Sequence, residues 1–447
     1  MQLPSPASRP FDVTNRLVLS IAIPMTLGFL TTPLLGLTDT AVVGRTGEAS
    51  ALAGLAIGAA LFDLIFASLG FLRASTTALT AQAYGRGDGK EQQAVFWRSF
   101  VLSVALGLAL LILSPLLLQA GLWLMGPEGE VAEATSTYFL IRILAGPLTL
   151  ANFTLLGFVL GQGRGKTGLL LQALLNGTNI VLSIHLGLTL GWGIAGVAWG
   201  TVIGEAVAMI IGLSIVLAGG RGREKPSLAE ILDATELRRL FSINRDILIR
   251  SFALLIAFTT MTRIGTTFGP VALAANAVLM NIFLVAGYYL DGFANAAEQI
   301  TGRAIGANYK PGFVRAVRLT AIWSFGLAGV TTAFFLIFGA NVIDVMTTSE
   351  EVRATAYQYL PWAAITAFSG ALAFQMDGVF IGATWSRDMR NMMLAAFAGY
   401  MASLAVLVPT LGNHGLWIAL NLFLAMRGLF LLARLKPKLD QTFAATQ

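Results

Sequence analysis

Charged side chains interrupt the apolar runs of this chain at Asp39, Asp63, Arg73, Arg142, Glu205, Asp291, Glu298, Arg303, Asp377 and Arg427. In a bilayer a charge at mid-depth costs about 2.5–3.5 kcal/mol on insertion scales, so each one needs a reason. The chemistry open to buried acids is the uptake and release of protons or cations. Asp39 lies toward the end of the first apolar run, after Pro24 and Pro33. Proline removes a backbone hydrogen bond and bends a helix. Burial favours the neutral form of a carboxylic acid, and access of water or a cation favours the charged form, so an acid on a bendable helix can act as a switch. The competing reading is an interfacial Asp capping a helix end, because "GLTDTAVVGRTG" is close to a loop.

The fifth run carries Asn176, Asn179 and Ser183, and the sixth carries Thr201 and Glu205. Asn179 and Ser183 are spaced i, i+4 and share a helical face, as do Thr201 and Glu205. They can line a polar cavity beside Asp39, or simply hydrogen-bond between helices, as Asn, Ser and Thr commonly do in bundles. In the eighth run Asp291, Asn295 and Glu298 form one stripe that must face protein or a water-filled cavity, with Asp291 the deeper acid. Glu298 can instead pair with Arg303. Asp377, beside Gln375 in the tenth run, can form a structural ion pair with an arginine such as Arg142 or Arg427. His185 could relay protons, since histidine titrates near neutrality, or be an ordinary hydrogen-bonded side chain.

The elements that position these residues follow from composition. The 447 residues are 56% hydrophobic and only 12% charged, with a mean hydropathy of +0.75. A soluble domain would carry about twice that charge. Apolar runs near or above the ~20 residues needed to span a bilayer fall at about 17–42, 52–78, 94–120, 138–160, 168–190, 194–218, 246–265, 271–300, 316–343, 356–382, 391–411 and 413–433. The expected fold is an all-α polytopic membrane protein of twelve transmembrane helices. The first run is longer than a signal-peptide core and lacks a convincing cleavage site, so it reads as a retained helix. Lys and Arg crowd alternate loops, from Arg9 and Arg16 through Arg221, Arg223 and Lys225 to Lys436 and Lys438. The opposite loops hold Arg45, Arg263 and Arg353 against a majority of acids, so both termini are expected in the cytoplasm. The one long polar linker, about 219–246, separates the halves. Ile231, Leu237, Leu240 and Phe241 suggest a short amphipathic helix on the membrane surface there. The organisation expected is a lobe over 1–220, a linker over 221–245 and a second lobe over 246–447.

The halves repeat. Ala51-Leu52-Ala53 recurs as Ala272-Leu273-Ala274, Tyr84-Gly85 as Ile305-Gly306, Tyr138 as Tyr359, and Gly157 and Gly161 as Gly378 and Gly382. Every pair is offset by 221 residues (51 to 272, 157 to 378). Duplicated membrane halves are the usual build of secondary transporters.

Several functions are disfavoured. There is no cysteine, which removes disulfides, thiolate metal sites and cysteine nucleophiles, and the two histidines are too few for a histidine-based metal site. No metal and no cofactor is expected. "GQGRGKTG" at 161–168 has three residues between Gly161 and Gly165 where a P-loop needs four, and it joins two membrane runs. The net charge of +6 follows the loops and does not form a nucleic-acid surface. No loop is long enough for a soluble catalytic domain, and no intramembrane enzyme constellation is present. A lipid-linked precursor flippase remains the alternative transporter, although it would want a strongly cationic cleft.

The segments "PLLGLTDTAVVGRTG", "GFLRASTTALTAQAYGRGD", "LDGFANAAEQITGRAIGA" and "DGVFIGATWSRDMRN" closely resemble the multidrug and toxic compound extrusion (MATE) family, and within it the DinF branch. The resemblance runs from about residue 14 to 435. It implies two pseudo-symmetric six-helix lobes around a central cleft. It also implies export of organic, often cationic, compounds from the bacterial inner membrane in exchange for protons or sodium, by a monomer. Asp39 matches the family's helix 1 acid and Pro24 the proline at its bend. Asn179 and Thr201 match polar residues around that acid, and Asp291 and Asp377 match acids typical of the branch. Many relatives carry a second acid where this chain has Ser183. A single carboxylate with Asn and Ser is a weaker cation site than a carboxylate pair, which favours proton over sodium coupling. The departure also leaves room for Asp291 and Asp377 to share the role, with Glu205, His185, Asn295 and Glu298 as cavity or relay residues.

Overall fold

A computed structural model describes residues 10–220 and 224–444. Arg9, Arg221 and Arg223, used above for loop charge, lie outside the described residues. All regular secondary structure among the described residues is helical, and twelve helices are long and apolar enough to cross a bilayer. They are α1 (Asn15–Gly44), α2 (Ala49–Gly85), α3 (Gly89–Ile112), α4 (Gly129–Gly161), α5 (Gly165–Thr189), α6 (Gly193–Gly219), α7 (Leu228–Thr266), α8 (Pro270–Gly306), α9 (Lys310–Met346), α10 (Glu350–Gly382), α11 (Ser386–Leu411) and α12 (Asn413–Ala444). The chain is a multi-pass membrane protein.

Local sequence explains where these helices change course. α4 tightens into a 3-10 turn at Ile143–Ala145 just before Gly146-Pro147, where proline supplies no N–H to the preceding turn. α5 loosens into a π turn at His185–Thr189. The segment that mimics a P-loop is a tight turn between α4 and α5. Gly163 holds a positive φ of 74° there and donates to the Leu160 carbonyl at 2.8 Å.

The chain divides into two compact units. The N-terminal unit spans Leu27–Leu240, and the C-terminal unit joins residues up to Thr26 with Phe241 onward. The N-terminal unit packs around Phe62, Tyr138, Phe139 and Val197, with a second cluster of Phe96, Leu155 and Phe158. In the C-terminal unit Tyr400, Trp417 and Phe423 form the centre, and Val18, Ile21 and Ala22 of α1 pack on Phe293 and Ile300 of α8. Pro24 is buried just before the point where α1 passes from one unit to the other.

The linker is docked on the N-terminal unit. Its short helix, Leu228–Ile231, opens with a capping box between Ser227 and Glu230. Buried Arg98 of α3 donates to the carbonyls of Glu230 (2.6 Å) and Ile231 (3.2 Å), satisfying the acceptors that this helix end leaves open. The α7 span therefore holds two helical pieces, this short one and the long continuous helix Ala234–Thr266, and the apolar residues 237–241 belong to the second.

Apolar burial gives little drive for helix association in lipid, so close contact between small residues carries much of it. A Cβ on Gly161 would lie 2.7 Å from the Thr77 carbonyl and 2.6 Å from the Thr80 Cβ, and one on Gly157 would lie 2.5 Å from the Arg73 carbonyl. In the C-terminal unit Gly378 abuts the backbone of Ala294, and Gly382 abuts Glu298 and Thr301. Residues 73, 77 and 80 shifted by the repeat offset are 294, 298 and 301. The repeat read from glycines is therefore a repeat of helix packing, α4 on α2 and α10 on α8.

Candidate functional site

Asp39 stands near the end of α1 and is 6% exposed. Its Oδ1 is 2.9 Å from the Ser183 hydroxyl, which in turn lies 3.0 Å from Asn179 Oδ1. Asn179 Nδ2 donates to Thr201 Oγ1 at 2.9 Å, and Thr201 Oγ1 lies 3.3 Å from the Val197 carbonyl. Asn179 and Ser183 meet because they are one turn apart on α5, and Thr201 reaches them from α6. Two glycines permit the approach. A Cβ on Gly200 would lie 2.9 Å from Ser183 Oγ, and one on Gly204 would lie 3.2 Å from the Asn179 Cβ. Gly196, Gly200 and Gly204 form a small-residue stripe with a period of four, which signals that α6 packs closely on a neighbour without showing which one. Among the described residues Asp39 forms no ion pair, and its hydrogen-bond partner is neutral.

A cavity of about 320 Å³ opens within the same unit, one turn toward the start of α5 and the end of α6. Asp63, Arg73, Arg142, Asn176 and Glu205 line it, with Phe62 and other aromatic side chains. Asn152 Nδ2 donates to Glu205 Oε2 at 2.6 Å, tying down a carboxylate that is 7% exposed. Arg142 donates to the Tyr138 hydroxyl at 2.5 Å, and its guanidinium sits 4.8 Å from the Phe62 ring centroid. That is cation–π distance. Asn176 donates to Thr31 on α1 at 2.5 Å. The sequence marked Asp63, Arg73 and Arg142 as membrane charges without grouping them. They come from α2 and α4, and no spacing within one helix could reveal that they share a cavity with Glu205. His185 is not part of either group: it is exposed, two residues from buried Ser183 on a helical turn.

In the C-terminal unit Asp377 is held by two arginines. Arg427 Nη2 lies 2.7 Å from its Oδ2, and Arg250 Nη2 bonds the same oxygen. Arg427 was foreseen as a partner, whereas Arg142 belongs to the other cluster and Arg250 was missed. Position 250 falls early in an apolar run, where a cation reads as an interfacial residue. The stripe on α8 is not uniform. Asn295 spends its amide on the Asp291 backbone carbonyl at 2.7 Å, Asp291 is exposed, and Glu298 is buried. Arg303, the partner considered for Glu298, lies over the Phe11 ring at 4.0 Å.

Similarity to known proteins agrees with this architecture. The MatE family model matches residues 24–184 and again 247–407, once in each half. DNA damage-inducible protein F of Escherichia coli (strain K12) is 36% identical over 418 residues, covering 92% of this chain and 90% of that protein. A probable multidrug resistance protein NorM of Deinococcus radiodurans is 28% identical, covering 94% of each chain. A MATE protein solved in a bent and in a straight conformation matches with TM-scores of 0.88 and 0.87 at 20% identity, over 96% of this chain and 97% of that one. The two scores are so close that the likeness speaks to fold and not to conformational state. A double family match over two packed repeats, with a relative above one-third identity along nearly the whole chain, makes this protein a member of the MatE family of membrane transporters.

Proposed function

We propose that the protein exports small organic compounds in exchange for protons by alternating access. It would act as a monomer in a bacterial inner membrane, with both termini in the cytoplasm. The observation that carries the coupling ion is the order of hydrogen bonds leading from Asp39. Ser183 has one hydroxyl proton and faces two acceptors, Asp39 Oδ1 and Asn179 Oδ1. With Asp39 protonated, every bond points one way: Asp39 to Ser183, Ser183 to Asn179, Asn179 to Thr201, Thr201 to the Val197 carbonyl. With Asp39 ionised, Ser183 turns its proton to the carboxylate and Asn179 Oδ1 loses its donor. A buried acceptor left unmade costs about 1–3 kcal/mol. The chain recovers only if the Asn179 amide turns over and Thr201 donates to it, releasing Val197. Loading or unloading one proton thus re-orders contacts between α1, α5 and α6.

Sodium would find one carboxylate, one hydroxyl and one amide oxygen beside Asp39, fewer oxygens than a hard cation gathers around itself. The cavity beside this network supports a small organic substrate. It sets Asp63 and Glu205 against Arg73 and Arg142 among aromatic rings, and a pyrophosphate-bearing lipid would want cations alone. Ethidium efflux from proteoliposomes under an imposed proton gradient, and separately a sodium gradient, tests the reading. We expect transport under the proton gradient and none in Asp39→Asn. Transport driven by sodium alone would reject proton coupling, and full activity in Asp39→Asn would reject the role of α1.

A further inference from the structure

A second concave site lies in the C-terminal unit, at the end of α9 and α12 that the loop charges assign to the cytoplasm. It is a groove of about 320 Å³. Its apolar wall includes Val317 of α9 and Leu432, Leu435 and Leu439 of α12, and two cations, Arg318 and Lys436, stand in it. The phase is helical. Residues 432, 435, 436 and 439 fall on one face of α12, so lysine interrupts a leucine stripe.

Three nearby cations are paired within the protein. Arg434 and Lys438 pair with Asp388 at 3.1 and 2.7 Å, and Lys310 pairs with Asp440 at 2.9 Å. Arg318 and Lys436 form no ion pair among the described residues, and both are exposed. Their depth is set by α9. No charged residue follows Arg318 until Asp344. At 1.5 Å per residue that uncharged stretch is about 37 Å long, enough for the ~30 Å hydrocarbon core, so Arg318 stands at its boundary. Arg318 and Lys436 stand at headgroup depth, Leu432 lies one turn toward the bilayer core from Lys436, and Val317 and Leu439 lie on the cytoplasmic side, so the groove has room for a headgroup and the first part of an acyl chain.

We infer that this groove binds an anionic glycerophospholipid of the cytoplasmic leaflet, with the headgroup phosphate between Arg318 and Lys436, beside Val317 and Leu439, and the start of an acyl chain running along Leu435 and Leu432 toward the bilayer core. Any lipid can fill an apolar trough; the two cations select the anion. Interfacial Lys and Arg attract anionic lipid strongly enough for a preference of roughly tenfold or more from the pair.

Native mass spectrometry of the full-length protein, titrated with phosphatidylglycerol or phosphatidylcholine, tests this. We expect phosphatidylglycerol to be retained about tenfold better. The double variant Arg318→Gln/Lys436→Gln should lose that preference. Arg164→Gln/Lys166→Gln, which removes two exposed cations of the N-terminal unit, should keep it. Leu435→Trp fills the trough and leaves both cations in place, and it should also lower retention. Equal retention of the two lipids by the parent protein would overturn the site. So would undiminished phosphatidylglycerol binding in both groove variants, or an equal loss in the control.

Discussion

The two polar clusters of this protein sit on the same scaffold and are built on opposite principles. In the N-terminal unit Asp39 is buried among a hydroxyl, an amide and a second hydroxyl, none of them charged. In the C-terminal unit Asp377 is gripped by two guanidinium groups on one oxygen. The α2–α4 and α8–α10 contacts repeat residue for residue at their glycines, but the chemistry does not. Leu156 stands where the repeat would put Asp377, and Tyr400 and Leu404 stand where it would put Asn179 and Ser183. Duplication has preserved helix packing and let polar function diverge. A carboxylate whose hydrogen-bond partner is neutral can change protonation without breaking an ion pair. One that is paired with buried Arg427 and half-buried Arg250 cannot. That difference argues for Asp39 as the coupling acid and for Asp377 as a structural counter-ion.

The comparison can be broken most directly by removing each charge. Asp39→Asn keeps the shape of a neutral acid and can still donate to Ser183. We expect normal expression and thermal stability with efflux reduced to background, measured in the same proteoliposomes. Asp377→Asn takes the ion-pair partner from buried Arg427 and half-buried Arg250, a class of change that costs about 3–5 kcal/mol. It should show as a lower unfolding temperature and poor yield. A stable, transport-dead Asp377→Asn beside an unstable Asp39→Asn would invert the assignment.

The shared scaffold predicts equal injuries. Gly161→Leu and Gly382→Leu each force a side chain into the facing helix and should each destabilise by about 1–3 kcal/mol, read by thermal unfolding. A large loss in one and none in the other would mean that the packing is not equivalent. The finest test concerns the missing second acid. Ser183→Asp places a second, buried carboxylate beside Asp39 and should create sodium-driven efflux that the parent lacks, with a lower unfolding temperature in the absence of sodium. An unaltered ion dependence would show that residue 183 does not set ion choice.

How much was legible beforehand depends on the range of the interaction. Membrane insertion, twelve spans and the doubled plan follow from the sequence, because hydropathy is local and additive and a bilayer forces exposed backbone into helices. The faces shared by Asn179 with Ser183, and Thr201 with Glu205, were equally readable, since helical phase is fixed by spacing. Their meeting with Asp39 depends on how closely α5 approaches α6, which Gly200 and Gly204 permit. The grouping of Asp63, Arg73, Arg142 and Glu205 around one cavity was hidden, as was the second arginine on Asp377. His185 illustrates the limit from the other side. Its chemistry suits a proton relay and its neighbour Ser183 is in the network, but a two-residue step turns it to the far side of the helix. The sequence by itself settled which residues are too polar for lipid and on which helical face each one stands. Only the tertiary structure decided which of those faces meet, because a side chain's partner lies across a helix interface and no periodicity within one helix records it.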